Sequence, residues 1–241
     1  MTSVPAWIAQ LSGMDPLSWA AFLDAHSGLP GPRADLALVD AAARTADAAV
    51  IDALLRDGRE YPVMCAAAAL GRRAGEPRDA RHARALAADD RWRVREGVAI
   101  GLQLLGDDSP AILRALVADW VDDPDPLVQR AAVAAICEPR LLRTPDAARA
   151  GLAACARATA HLAAADTSHR RQDGARTLRQ ALGYCWSVAI AADPVAGLPV
   201  FAALDESDPD VAWIIRENRK KKRLATLLSA PAARTATDGA G

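Results

Sequence analysis

Aromatic residues make up only 4% of this chain, and the β-branched residues that favour strands are sparse. A sheet-based fold, which draws on both, is therefore not the default. Cysteine supplies no framework. Cys65, Cys137, Cys155 and Cys185 lie far apart in Ala/Leu-rich stretches with no Cys-x-x-Cys pair. They read as small buried hydrophobes in a reducing compartment, not as disulfides or zinc ligands. His26, His82, His161 and His169 form no His-x-x-x-His pair, so no metal is expected, and no cofactor. The N-terminus lacks the basic residues and continuous apolar region of a signal peptide. No apolar run approaches the ~20 residues of a membrane span. A cytoplasmic, monomeric chain without membrane contact is expected. A net charge of -1 exerts no global pull toward nucleic acid or membrane, so only the distribution of charge can argue for a partner.

The apolar content is instead mostly alanine and leucine, then valine. Hydrophobic residues are 51% of the total, and Ala and Leu are the strongest helix formers. The expected fold class is all-α.

One pattern recurs: an acidic or Pro-containing turn, then an apolar anchor, then small apolar residues at helical spacing. It runs through Arg59-Glu60-Tyr61-Pro62-Val63, Asp89-Asp90-Arg91-Trp92-Arg93-Val94, Asp123-Pro124-Asp125-Pro126-Leu127-Val128 and Asp208-Pro209-Asp210-Val211, with a weaker copy at Asp173–Leu178. The anchors Val63, Val94, Val128, Leu178 and Val211 are 31, 34, 50 and 33 residues apart. Periods of this size indicate stacked helix pairs, and the spacing of 50 indicates an insertion around Thr159–Asp173. The first helices of the pairs are expected at Asp79–Leu86, Ser109–Val121, Pro145–Ala158 and Val195–Leu204. The Asp and Pro residues then read as N-cap and N1 residues, not metal ligands. Val94-Arg95 after an acidic turn is similar to the opening of second helices in the HEAT family. The reading is an α-α superhelix, a solenoid of about five to six HEAT-like repeats over residues 61–228. Capping helices over 1–60 include an opening helix with Trp19 and Phe22, and a disordered tail covers 229–241.

At about 100° per residue, the second position after each anchor points away from the core. These positions are Cys65, Glu96, Arg130, Gln180 and Trp213, and in such stacks they face a concave groove. Trp92 and Glu96 form an i,i+4 pair on the same side. Trp213, Arg216 and Lys220 share the outward face of the last repeat. Either Trp92 and Trp213 belong to a binding surface, or they pack against an adjoining helix. The five second helices, expected over Glu60–Arg73, Arg91–Leu105, Pro126–Cys137, Gly174–Ile190 and Pro209–Leu228, hold 14 Arg/Lys against 4 Asp/Glu. The chain has 26 Arg but 3 Lys, all contiguous at Lys220, Lys221 and Lys222. That run is either a phosphate-contacting patch or a solvated helix end opposing the dipole.

Three segments carry a further resemblance. Ala118-Asp119-Trp120-Val121 through Leu127-Val128-Gln129-Arg130-Ala131-Ala132 resembles the AlkD-type DNA glycosylases, repeat proteins that excise alkylated purines. Leu178-Arg179-Gln180-Ala181-Leu182-Gly183-Tyr184 is similar to a second family segment, with Tyr184 in place of a cleft tryptophan. Trp92 and Glu96 have the spacing of the family's tryptophan and catalytic aspartate. The resemblance covers roughly residues 80 to 225, and the family's paired tryptophans and two aspartates are absent around Trp92. It implies a double-stranded DNA partner, with Glu96 the catalytic carboxylate and Trp92, Tyr184 and Trp213 against the damaged base. Arg93, Arg130, Arg179, Arg216, Arg219, Lys220, Lys221 and Lys222 would contact DNA. Some relatives bind DNA without excising bases. The alternative from composition and fold alone is a scaffold binding a protein partner on the concave face.

Overall fold

A computed structural model of the chain describes residues 2–31 and 33–229; among these the regular structure is entirely helical. Four helices open the chain: α1 (Val4–Leu11), α2 (Trp19–His26), α3 (Leu36–Thr45) and α4 (Ala48–Asp57). Then come α5 (Glu60–Arg72), α6 (Pro77–Ala87), α7 (Trp92–Asp108), α8 (Pro110–Trp120) and α9 (Pro126–Ile136). They are followed by α10 (Pro145–Ala164), the short α11 (Thr167–Arg170), α12 (Asp173–Ala192), α13 (Pro194–Ala202), α14 (Pro209–Arg219) and α15 (Lys222–Ser229). The expected tail falls, beyond Ser229, outside the described residues.

The Asp/Pro turns are helix starts. Asp125 accepts from the Leu127 amide and Asp208 from those of Asp210 and Val211, and proline opens α6, α8, α9, α10, α13 and α14. Each cap satisfies a donor that the helix itself leaves unpaired.

The helices form two layers. In the inner row α3, α5, α7, α9, α12 and α14 each pack on the next, and α1 extends it at the N-terminal end. In the outer row α4, α6, α8, α10 and α13 lie against their inner neighbours. Four packed pairs result, α4–α5, α6–α7, α8–α9 and α10–α12, with α13 on α12 and α10 ahead of α14: a helical repeat solenoid. The inner helices are parallel, because starts lie beside starts and ends beside ends. Arg93 near the start of α7 donates to Glu60 at the start of α5, and Arg179 of α12 to Asp210 of α14. At the other end Arg72 of α5 donates to Asp108 of α7.

The five anchors occupy equivalent buried positions. Val94 and Val128 are 0% exposed, Leu178 1%, and Val63 and Val211 2%.

The tightest approach joins α5 and α7. A Cβ at Gly101 would overlap the Ala68 carbonyl oxygen, one at Gly97 that of Met64, and one at Gly71 would lie 2.8 Å from that of Val98. Glycine on one helix against an alanine run on the other lets the two backbones touch. Helix α5 is buried from Tyr61 to Gly71, as befits a helix apolar on every side. This corrects one expectation. Cys65 does not face a groove; it is 0% exposed, because α2, α3, α4, α6 and α7 all pack on α5.

A second correction concerns the last repeat, where the expected continuous helix over Pro209–Leu228 is broken at Lys220–Lys221. The consecutive cations Arg219–Arg223 repel at helical spacing, and the break lets α15 fold back so that Leu224 is buried against α12 and α14. Asn218, fully buried, locks α14 to α12: its Oδ1 accepts from the Ser187 amide at 2.8 Å, and its Nδ2 donates to the Leu182 and Ile214 carbonyls. The cysteines are free and buried, but three of them converge, with Cys137 Sγ 3.6 Å from Cys155 Sγ and Cys185 close to Cys137. Burial pushes the Cys155 thiol up, which keeps it protonated and unreactive.

Alanine at position 101 should lower stability by about 2 kcal/mol through overpacking, although helix propensity alone favours Ala over Gly by ~1 kcal/mol. Chemical denaturation of Gly101→Ala measures the sign, and a variant as stable as wild type would refute the close approach.

Candidate nucleic-acid interface

Because the inner helices are parallel, their N-termini line one edge of the stack, with one helix start per repeat. Helix N-termini carry partial positive charge and free amides. Carboxylate–arginine rungs cross between neighbours along this edge: Glu60–Arg93 at 2.9 Å, Glu96–Arg130, and Asp210–Arg179 at 2.6 Å.

The turn before α7 is built to hold its first residues. Arg91 grips both oxygens of Asp89 at 2.8 Å and reaches the Gly58 carbonyl at 2.7 Å, while Arg95 donates to the Asp89 and Asp90 carbonyls. This presents Trp92, 55% exposed, at the helix start, with Glu96 one turn later. The Glu96 side chain is 37% exposed and the Arg130 side chain 15%. Arg130 donates to Glu96 through Nη2, while its Nη1 is buried without a partner.

The structure therefore joins Glu96 to Arg130, an acid and a base from different repeats. It also gives each candidate aromatic a cation of its own. Arg93 lies 4.6 Å over the Trp92 ring and Arg179 4.8 Å over Trp213. Arg223 lies 4.9 Å over Tyr184 and donates to its hydroxyl at 2.8 Å, with Lys221 at 5.8 Å. Trp213 is half-buried, its ring against Gly183, where a Cβ would come within 2.7 Å of it. It therefore packs on a neighbouring helix. A cationic base stacking on Trp92 or Tyr184 would meet a like charge across the ring, which weakens cation–π attraction. An anionic backbone passing these residues would meet favourable charge.

The chain matches no family model, no curated protein and no solved structure.

At the C-terminal end the candidate cations separate. Arg219 pairs with Glu206 at 2.9 Å and Lys220 with Glu217 at 2.6 Å; the Lys220 ammonium is the main influence holding the Glu217 carboxyl below the usual range. Arg216 and Lys222 are exposed and have no ion pair among the described residues. Two participants escape the sequence reading. Arg223, at the end of the basic run, reaches Tyr184 from the next helix. Glu60 fixes Arg93, and the signal was available: 33 residues, one repeat, separate them. No group of three or more His, Cys, Asp or Glu among the described residues is arranged to hold a metal. No described helix is long and apolar enough to cross a membrane.

The Asp89–Arg91 fork gives a pH test. The Arg91 side chain is the largest influence on the Asp89 carboxyl; outweighing a rise from burial, it and the Arg91 amide hold the group below the usual carboxylate range. Such a depressed group contributes stability that is present above about pH 4 and lost as pH falls through the depressed value. Asp89→Asn should be less stable than wild type at pH 7, and the two should converge in acid. Denaturation midpoints across pH check this, and a gap that persists at low pH would contradict it.

Proposed function

We propose that this repeat protein binds duplex DNA along the N-terminal edge and exposed face of its inner helix row, through phosphate contacts. One observation carries the reading: parallel helix starts recur once per repeat, with the Trp92 and Trp213 rings near them under arginines, and the last inner helix, α14, leads at its far end to the cations Arg216, Lys221, Lys222 and Arg223. Helix starts suit phosphate oxygens, and Arg223 and Lys221, held at the Tyr184 ring with no ion pair among the described residues, remain available to an anion. Contacts of this kind give affinity without sequence preference.

The resemblance adds a chemistry. An N3- or N7-alkylated purine is a cationic leaving group, and its departure leaves positive charge on the sugar. The Glu96 carboxylate would stabilise that charge and orient a water, as carboxylates do in glycosidic cleavage. Arg130 is its counterion at rest, so part of the Glu96 charge is shared until the sugar cation develops. A protein-binding scaffold is the second reading. What favours it is the neutralisation of Arg93, Arg130 and Arg179 by Glu60, Glu96 and Asp210, which leaves that part of the edge without net positive charge.

Anisotropy with a labelled duplex should show binding that fades with salt. Replacing Lys220, Lys221 and Lys222 with Ala should weaken it and flatten the log–log salt slope by about 0.9 for each phosphate no longer neutralised. No binding at low salt would hand the protein to the scaffold reading. On methylated DNA, Glu96→Gln should abolish release of 7-methylguanine while leaving duplex affinity within about twofold, since shape is preserved and phosphate contacts carry affinity. Wild type that binds but releases no base would place the protein with non-excising binders, and excision unchanged in Glu96→Gln would remove Glu96 from the site.

A further inference from the structure

The irregular fourth repeat is where the stack departs from its period, and the departure builds a recess. The long α10, the short α11 and the start of α12 occupy the extra residues. Between them and the start of α14 lies an open recess of about 800 Å³, walled by Arg170, Arg171, Arg176 and Arg179. Insertions in repeat proteins collect on one face, often the binding face.

The four arginines are not equivalent. Arg170 is consumed by the fold: it donates to the Ala165 carbonyl at 2.8 Å, to the Ala163 carbonyl, and to Asp208 at 2.5 Å. The recess carboxylates are likewise committed. Asp208 caps α14 and holds Arg170, Asp210 holds Arg179 at 2.6 Å, and Asp166 caps α11 and accepts from Ser168 at 2.6 Å. Donors remain on the other three arginines. Arg171 is exposed with no ion pair among the described residues. Arg176 makes only a 3.3 Å contact to Asp173, both side chains more than half exposed, which is worth little in water. Arg179 is anchored through its Nη1 on Asp210 and by the Trp213 ring, which leaves its Nη2 without a hydrogen-bond partner among the described residues. One pre-positioned guanidinium with an unspent donor, flanked by two uncommitted ones, is a set suited to a tetrahedral oxyanion, for which arginine forks supply matched donors.

We propose that this recess is a phosphate-binding site in which Arg171, Arg176 and Arg179 take one phosphate group. The group is either a backbone phosphodiester of the duplex or a free phosphate. The first source rests on the duplex-binding reading; the second does not.

The test uses the full chain and the pair Arg171→Ala/Arg176→Ala, both exposed positions, against Arg78→Ala/Arg81→Ala, exposed on the outer helix α6, as the control. Calorimetric titration with inorganic phosphate forms one arm and duplex anisotropy the other. Phosphate binding by wild type that is abolished in the Arg171/Arg176 pair and kept in the control supports the site, with free phosphate as its source. No phosphate binding, but a duplex affinity lowered about tenfold in the pair with a salt slope shallower by about 0.9, supports it with the backbone as its source. Unchanged behaviour in both arms overturns the site even if duplex binding itself holds. If wild type binds no duplex, the phosphate arm decides alone, and absence of binding there overturns the site. Should the alanine pair lose cooperative unfolding, Arg171→Gln/Arg176→Gln carries the same expectations.

Discussion

Backbone contact between α5 and α7, made possible by Gly71, Gly97 and Gly101, is the constraint on which the rest of the architecture depends. With no side chains between them at those points, the two helices lie side by side with their starts aligned. The alignment brings Glu60 within 2.9 Å of Arg93 and sets Trp92 at the edge. The same side-by-side relation passes to α9 through the Glu96–Arg130 pair, and farther along Asn218 ties α14 to α12. A stack of parallel inner helices thus gathers one helix start per repeat along a single edge.

That edge is electrostatically balanced in one stretch and open in another. The rungs neutralise Arg93, Arg130 and Arg179; Arg171, just before α12, has no ion pair among the described residues, and neither do Arg216 and Lys222 at the far end of α14. Exposed ion pairs contribute little stability, so the rungs serve to orient side chains more than to hold the stack together, which the buried anchors do. The aromatic rings complete the arrangement by holding arginines over their faces. Trp213 beneath Arg179 shows the division of labour: the ring packs on Gly183, and the guanidinium is left positioned beside the recess.

Much of this was legible in the residues themselves. The anchors Val63, Val94, Val128, Leu178 and Val211 could be placed because apolar spacing and Asp/Pro capping point to the same helix starts, and α6, α8, α10 and α13 lie where the intervening amphipathic stretches put them. Cys65 was misplaced because an alanine run has no polar face, so its periodicity carries no direction. The break at Lys220–Lys221 has neither proline nor glycine to announce it; repulsion among Arg219–Arg223 favours it, and the burial of Leu224 that it permits is a tertiary effect. The rungs are contacts between repeats, invisible to helical periodicity within one. The separations of 33, 34 and 31 residues between partners nevertheless match the anchor period, and opposite charges at that period are a usable signal.

The central claim is that the N-terminal edge of the inner row meets the phosphate backbone. Amide hydrogen exchange, with and without a duplex oligonucleotide, reads it most directly, because first-turn amides lack intrahelical partners and exchange fast until a ligand covers them. The account predicts new protection at the starts of α7, α9, α12 and α14, recurring one repeat apart, with the outer helices α6, α8 and α13 unchanged. Protection on the outer row, or none at the inner helix starts at a duplex concentration that saturates binding, would contradict it.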